Sequence, residues 1–209
     1  MDKFIGDAVM AFWNAPTRHD DHAGRACRSV LECLERTRAL YASDSWKGLP
    51  SLFTRFGVHT ARVMVGHFGA PDRISYTALG DGVNLAARLE GLCKQYGVAV
   101  LASEATVRAA GDEFAFRLVD KVAVKGKHES VRVYELLGTD TESSARVGAA
   151  RAYEQALEAY FARDFAGALA RLGRLTDDPP SRVLADRCRA MIDRPPPEAW
   201  DGVYVATTK

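Results

Sequence analysis

No apolar run in the 209 residues approaches the ~18–20 that a membrane-spanning helix requires. The start, Met1-Asp2-Lys3-Phe4, lacks the basic-then-apolar order of a signal peptide. Cysteine is scarce as well. Cys27, Cys33, Cys93 and Cys188 make no C-x-x-C pair, and each sits in an apolar helical pattern, so they read as reduced core thiols of a cytosolic protein. Charge of one sign is also missing, with 28 Lys+Arg against 27 Asp+Glu. That balance argues against nucleic acid or an anionic membrane surface as the dominant partner, because both usually leave a basic excess. What is present, 47% hydrophobic and 26% charged residues, suffices to bury a core without disulfides or a structural metal.

Residues 4–13 are two apolar, β-prone runs split by Gly6-Asp7, which predicts a tight hairpin. Asp20-Asp21 then open an amphipathic helix with Ala23, Cys27, Val30, Leu31 and Leu34 inward and Arg25, Arg28, Glu32, Glu35 and Arg36 outward. A strand is expected over 53–68, bending near Gly57 or Gly66, followed by a turn at 70–73 and a short strand over 74–79. Asp81 is the expected N-cap of a helix over 83–96, whose core stripe is Leu85, Leu89, Leu92, Cys93 and Tyr96. A buried strand over 98–102, a short helix over 104–110 and strands over 114–124 and 131–137 complete the alternating part. Lys125-Gly126-Lys127 joins the last two.

After Gly138 the pattern becomes Ala-rich and helix-only, and five of the eight prolines fall in the last stretch. Stripes of Tyr153, Ala156, Leu157 and Tyr160, of Phe165, Ala168, Leu169, Leu172 and Leu175, and of Val183, Leu184, Cys188 and Ile192 predict three helices. The expectation is an α+β domain over 1–138 and a small all-α, tetratricopeptide-like extension over 139–209. The final Trp200-Asp201-Gly202-Val203-Tyr204 reads as a short aromatic tail.

Taken singly, the polar candidates have plain structural readings. Gly6-Asp7 suits a hairpin turn, Asn84 and Arg88 share a helix face at i, i+4, and Lys125-Gly126-Lys127 is a charged hairpin loop. His19-Asp20-Asp21-His22 has the look of a metal cluster but reads better as a surface helix start.

In order, however, DKFIGDAVMAFWNAP (2–16), GVHTARVMVGHFG (57–69), DRISYTALGDGVNLAARLEGL (72–92) and VDKVAVKGKHESVRVYELLG (119–138) resemble the class III nucleotide cyclase catalytic domain. The resemblance implies a ferredoxin-like βαββαβ palm that cyclises a nucleoside triphosphate with two Mg²⁺ or Mn²⁺ ions. Asp7 then matches a metal-binding aspartate, Lys3 and Thr77 the pair that reads the purine edge, and Asn84 the residue that orients the ribose. Arg88 matches the residue that meets charge on the transferring phosphate, and Lys125 the one that grips the terminal phosphates. A hydroxyl at Thr77 suits an adenine amino group, so ATP is the expected substrate and cyclic AMP the product. The family site is shared by two protomers, which implies a two-fold homodimer.

The family's opening pattern, F-x-D-[IL]-x-G-[FY], carries the other metal aspartate and occurs nowhere in the sequence. The expectation is an N-terminally truncated cyclase lacking its first strand and helices, from a longer parent with upstream sensor domains. This part would be cytoplasmic, and a membrane-anchored parent is compatible with that. Ala61 stands where the family prefers Gly, and no G-G-[DE]-E-F run of the diguanylate cyclases is present. Three readings stay open: a catalytic domain, an inactive nucleotide-binding or dimerisation module, and a helical interaction module.

Overall fold

A computed structural model describes residues 1–50, 52–123, 130–139 and 144–205. The predicted first hairpin forms, with β1 (Lys3–Ile5) antiparallel to β2 (Ala8–Met10) and Gly6 in the turn at φ +63°, a conformation that costs glycine nothing. Among the described residues neither strand has another partner. Phe4 and Ile5 are therefore left 68% and 58% exposed.

Helix α1 (His22–Ala42) buries Ala23, Gly24, Ala26, Cys27 and Val30, as its stripe foretells. Beyond Val30, Leu31 and Leu34 are partly buried against the same core, whereas Cys33 is exposed, which corrects its reading as a core thiol. The strand expected over 53–68 is two strands, β3 (Phe56–Val58) and β4 (Met64–Ala70). The cause lies between them. His59 Nδ1 meets Ser103 Oγ at 2.7 Å and Thr60 Oγ1 meets Thr106 Oγ1 at 3.2 Å, so this stretch is tied to the start of a helix instead of extending a ladder. β4 pairs with β5 (Arg73–Leu79) as a separate hairpin, in register from Met64 opposite Leu79 to Ala70 opposite Arg73.

The N-cap of helix α2 (Asp81–Tyr96) is Gly80, not Asp81, which sits in the first turn. An acid there complements the positive end of the helix. α2 buries Leu85, Leu89, Cys93 and Tyr96 and lies very close to β3. A side chain at Gly57 would collide with the backbone of Ala86 and Glu90, so only glycine permits that approach.

The main sheet follows the order β3, β6 (Val100–Ser103), β8 (Ser130–Thr139), β7 (Phe114–Ala123), β9 (Tyr204–Val205). β3–β6 and β7–β9 are parallel, and the β6–β8 and β7–β8 pairs are antiparallel. Helix α3 (Glu104–Ala110) occupies the residues expected for it. Strand alternation divides the core between the two faces. Val100 and Ala102 pack with α1 and Ala110, whereas Leu101 packs with α2, Val119 and Val133. The result is an α+β fold with a mixed sheet and, among the described residues, six α-helices.

The three later helices are present as α4 (Ser144–Phe161), α5 (Phe165–Leu172) and α6 (Pro179–Asp193). Leu175 falls after the end of α5 but still packs on their shared core. Two buried arginine clusters fasten these helices to the sheet. Arg117 on β7 donates to Glu135 of β8 and, at 2.8 Å, to Asp178, whose carboxylate caps α6. Arg187 of α6 pairs with Asp120 of β7, which also accepts a 2.5 Å hydrogen bond from the Tyr96 hydroxyl of α2. The aromatic tail packs back: Trp200 meets Tyr160 and Phe165 edge-on at 5.2 and 5.7 Å, and β9 follows it. Among the described residues no helix is long and apolar enough to cross a membrane.

Candidate functional site

The two hairpins that the main sheet leaves out meet each other, and two candidate residues, Lys3 and Thr77, lie where they do. Thr77 on β5 is buried at 4% exposure, although its neighbours from Arg73 to Tyr76 are exposed. Its hydroxyl donates to Asp2 Oδ2 at 2.6 Å across 75 residues of sequence. The same carboxylate oxygen lies 3.8 Å from Lys3 Nζ. Asp2 itself is held by its backbone N–H, which donates to the Met10 carbonyl at 2.9 Å. Nearby, the Phe12 and Tyr76 rings approach to 6.1 Å, so an aromatic contact also joins the segment after β2 to β5.

The side chain of Asp2 is only 3% exposed, whereas that of Lys3 is 39% exposed. A buried carboxylate thus anchors a half-exposed ammonium and a hydroxyl side by side. Such a pair can meet the hydrogen-bonding edge of a heterocycle. Asp2 escapes the sequence reasoning because successive strand residues point to opposite faces, so an acid beside Lys3 reads as its flank. The one available signal is the Asp2-Lys3 dipeptide, which Phe4-Ile5 separates from the Gly6-Asp7 turn.

Asp7 is exposed at the β1–β2 turn, its backbone fixed by the hairpin register from Lys3 to Met10. A carboxylate so presented is the right kind of donor for a hard divalent cation. Among the described residues no three His, Cys, Asp or Glu side chains form a group able to hold a metal, so the residues fit one carboxylate ligand and not a complete site. The same holds for His19-Asp20-Asp21-His22. There Asp20 pairs with Arg18, and Asp21 pairs with Arg25 and Arg28. The Arg25 guanidinium holds the Asp21 carboxyl below its ordinary range.

Asn84 and Arg88 are exposed on α2, four residues and therefore about 6 Å of rise apart. Leu85 and Leu89, next to each in sequence, are buried and fix which face they share. The β5–α2 junction at Gly80 follows Thr77 by three residues. Lys125 lies outside the described residues. A shallow groove between α4 and α5, lined by Ala152, Gln155, Ala170, Arg171 and Arg174, involves none of these positions.

Residues 3–138 match the adenylate and guanylate cyclase catalytic domain. Adenylate cyclase 1 of Rhizobium meliloti is 45% identical over 136 residues, which is 65% of this chain and 20% of that protein. The chain spans less than a third of the length of the curated relatives it matches first. Among solved structures, the guanylyl cyclase Cya2 has a TM-score of 0.58 at 30% identity, over 66% of this chain and 69% of that one. The adenylyl cyclase CyaB from P. aeruginosa has the same score and identity, over 66% and 71%. The fold is therefore equally near to enzymes named for either purine.

Proposed function

The chain belongs to the adenylate and guanylate cyclase catalytic domain family, and on that premise we propose that it converts ATP to 3′,5′-cyclic AMP and pyrophosphate in a two-fold homodimer. The observation that carries this reading is the convergence of Lys3 and Thr77, far apart in sequence, on one buried carboxylate. In the proposed reaction the ribose 3′-hydroxyl gives up its proton to solvent, its oxygen attacks the α-phosphorus in line, the bond to the bridging oxygen breaks, and pyrophosphate leaves with that oxygen. Lys3 donates to the purine edge and Thr77 accepts from the 6-amino group. Asn84 orients the ribose, while Arg88, one helical turn on, donates to the oxygens that gain charge at the α-phosphorus. Lys125 holds the terminal phosphates. Asp7 would contribute a carboxylate to Mg²⁺ or Mn²⁺, which when bound neutralises the triphosphate and acidifies the 3′-hydroxyl.

The dimer is supported by apolar surface on the two hairpins: Phe4, Ile5, Val9, Met64 and Ile74 are all more than half exposed. Such a surface, adjoining the candidate site, calls for a covering partner. A second chain would bring its Asp7 to the Asn84 and Arg88 of the first. We place the chain as the cytoplasmic effector part of a longer signalling protein, with its helical extension distinct from the cyclase part after residue 138.

One observation favours a second reading. Among the described residues Asp7 belongs to no group of three side chains able to hold a metal, where two-ion chemistry needs more ligands, so nucleotide binding and pairing without turnover is the alternative. The purified chain with Mn²⁺ and ATP should yield cyclic AMP, and Asp7→Asn should lower kcat about 100-fold or more. Unchanged turnover in Asp7→Asn overturns the metal role, and ATP binding with no product supports the alternative.

A further inference from the structure

We infer that Asp2 is a specificity-positioning residue: by accepting the one hydrogen bond that the Thr77 hydroxyl can donate, it compels Thr77 to present only an acceptor to the purine and thereby selects adenine over guanine. The inference rests on the nucleotide reading of the site. A threonine hydroxyl carries one donor and two acceptor lone pairs, and a free rotor offers either to a ligand. An ionised carboxylate is acceptor-only, so the 2.6 Å contact fixes the direction of the bond from Thr77 to Asp2. The lone pairs of Thr77 are what remains for a ligand. At position 6 adenine carries an amino group and guanine a carbonyl oxygen. An acceptor-only Thr77 pairs with the first and opposes the second.

Burial makes this direction firm. With the Asp2 side chain 3% exposed, water does not compete for its oxygen, and the Lys3 ammonium places a positive charge 3.8 Å from the same atom. The Lys3 ammonium, donor-only, serves adenine N1 or guanine O6 alike and does not by itself discriminate. The choice of base therefore falls to Thr77, and through it to Asp2, which does not touch the nucleotide.

The test uses the full chain with Mg²⁺ and 3′-deoxy-ATP or 3′-deoxy-GTP, which lack the attacking hydroxyl, and reads both affinities by calorimetry. The wild-type chain should prefer the adenine nucleotide by about tenfold or more, the effect of one satisfied against one opposed hydrogen bond. Asp2→Ala frees the hydroxyl to turn, and the ratio should fall to within about threefold of unity. Asp2→Leu, which offers no acceptor and fills the space, should shift the ratio the same way if the alanine variant folds poorly. Thr77→Ser should keep the preference and Thr77→Val lose it. Combining Asp2→Ala with Thr77→Val should change the ratio no further than Thr77→Val alone, a non-additivity that a merely structural role would not produce. Retained adenine preference in both Asp2 variants overturns the inference and leaves the nucleotide reading standing. Failure of the wild-type chain to bind either nucleotide overturns that reading, and the inference with it.

Discussion

Cys27, Cys93 and Cys188 sit in apolar surroundings, and burial pushes their thiols up to about 11, 12 and 11. Cys33, in the second half of α1, is exposed. Thiols released on unfolding titrate near 9, so in the folded chain the protonated form persists to higher pH. The stabilisation from keeping these thiols neutral is complete below about pH 9 and is lost as pH rises through 11 to 12. Buried tyrosines reinforce it: burial raises Tyr96 and Tyr153 strongly and takes Tyr160 to about 12. The denaturation midpoint should therefore stay level across neutral pH and fall steeply above about pH 9. At about pH 8 a thiol reagent should label Cys33 rapidly and the other three only on unfolding. Equal labelling rates at all four would contradict the burial pattern.

At the scale of elements, the Arg187, Asp120 and Tyr96 cluster joins α6, β7 and α2, the helix that carries Asn84 and Arg88. The Arg187 guanidinium also lies 3.5 Å over the Tyr204 ring of β9. Asp120 is 1% exposed, so Arg187→Ala strands a carboxylate in the core and should destabilise the fold by about 3–5 kcal/mol. Urea unfolding reads this directly, and a loss below about 0.5 kcal/mol would show the cluster to be a surface pair. Little of this weld is legible in the sequence, because Arg117, Asp120, Asp178 and Arg187 look there like solvent-facing charges. Elements built from local patterns are legible. The stripes locate α1, α2 and α4 to α6, and α3 falls where it is expected. The break at residues 59–63 is not, since it depends on Ser103 and Thr106, over 40 positions away. Nor is β9, because a two-residue strand exists only through its pairing with Val122 and Ala123. The same division holds for the site. Lys3, Asp7, Thr77, Asn84 and Arg88 stand out through motif order, whereas Asp2 gains meaning only when β5 lies beside β1.

For the molecule as a whole, length and neutral charge describe an ordinary globular chain, yet its surface is uneven. Apolar side chains gather on the two hairpins, which also carry the candidate residues Lys3, Asp7 and Thr77. That placement suits the shared site proposed above, in which Asp7 would come from one protomer and Asn84 and Arg88 from its partner. Complementation between two disabled variants tests it most directly. Asp7→Asn and Arg88→Ala should each abolish cyclic AMP formation alone. When they are mixed in equal amounts, about half the dimers pair unlike chains, and each of these rebuilds one intact site of two. The mixture should then recover about a quarter of the wild-type rate. A mixture as inactive as either variant alone, at concentrations where exchange of chains is demonstrated, would contradict the shared site.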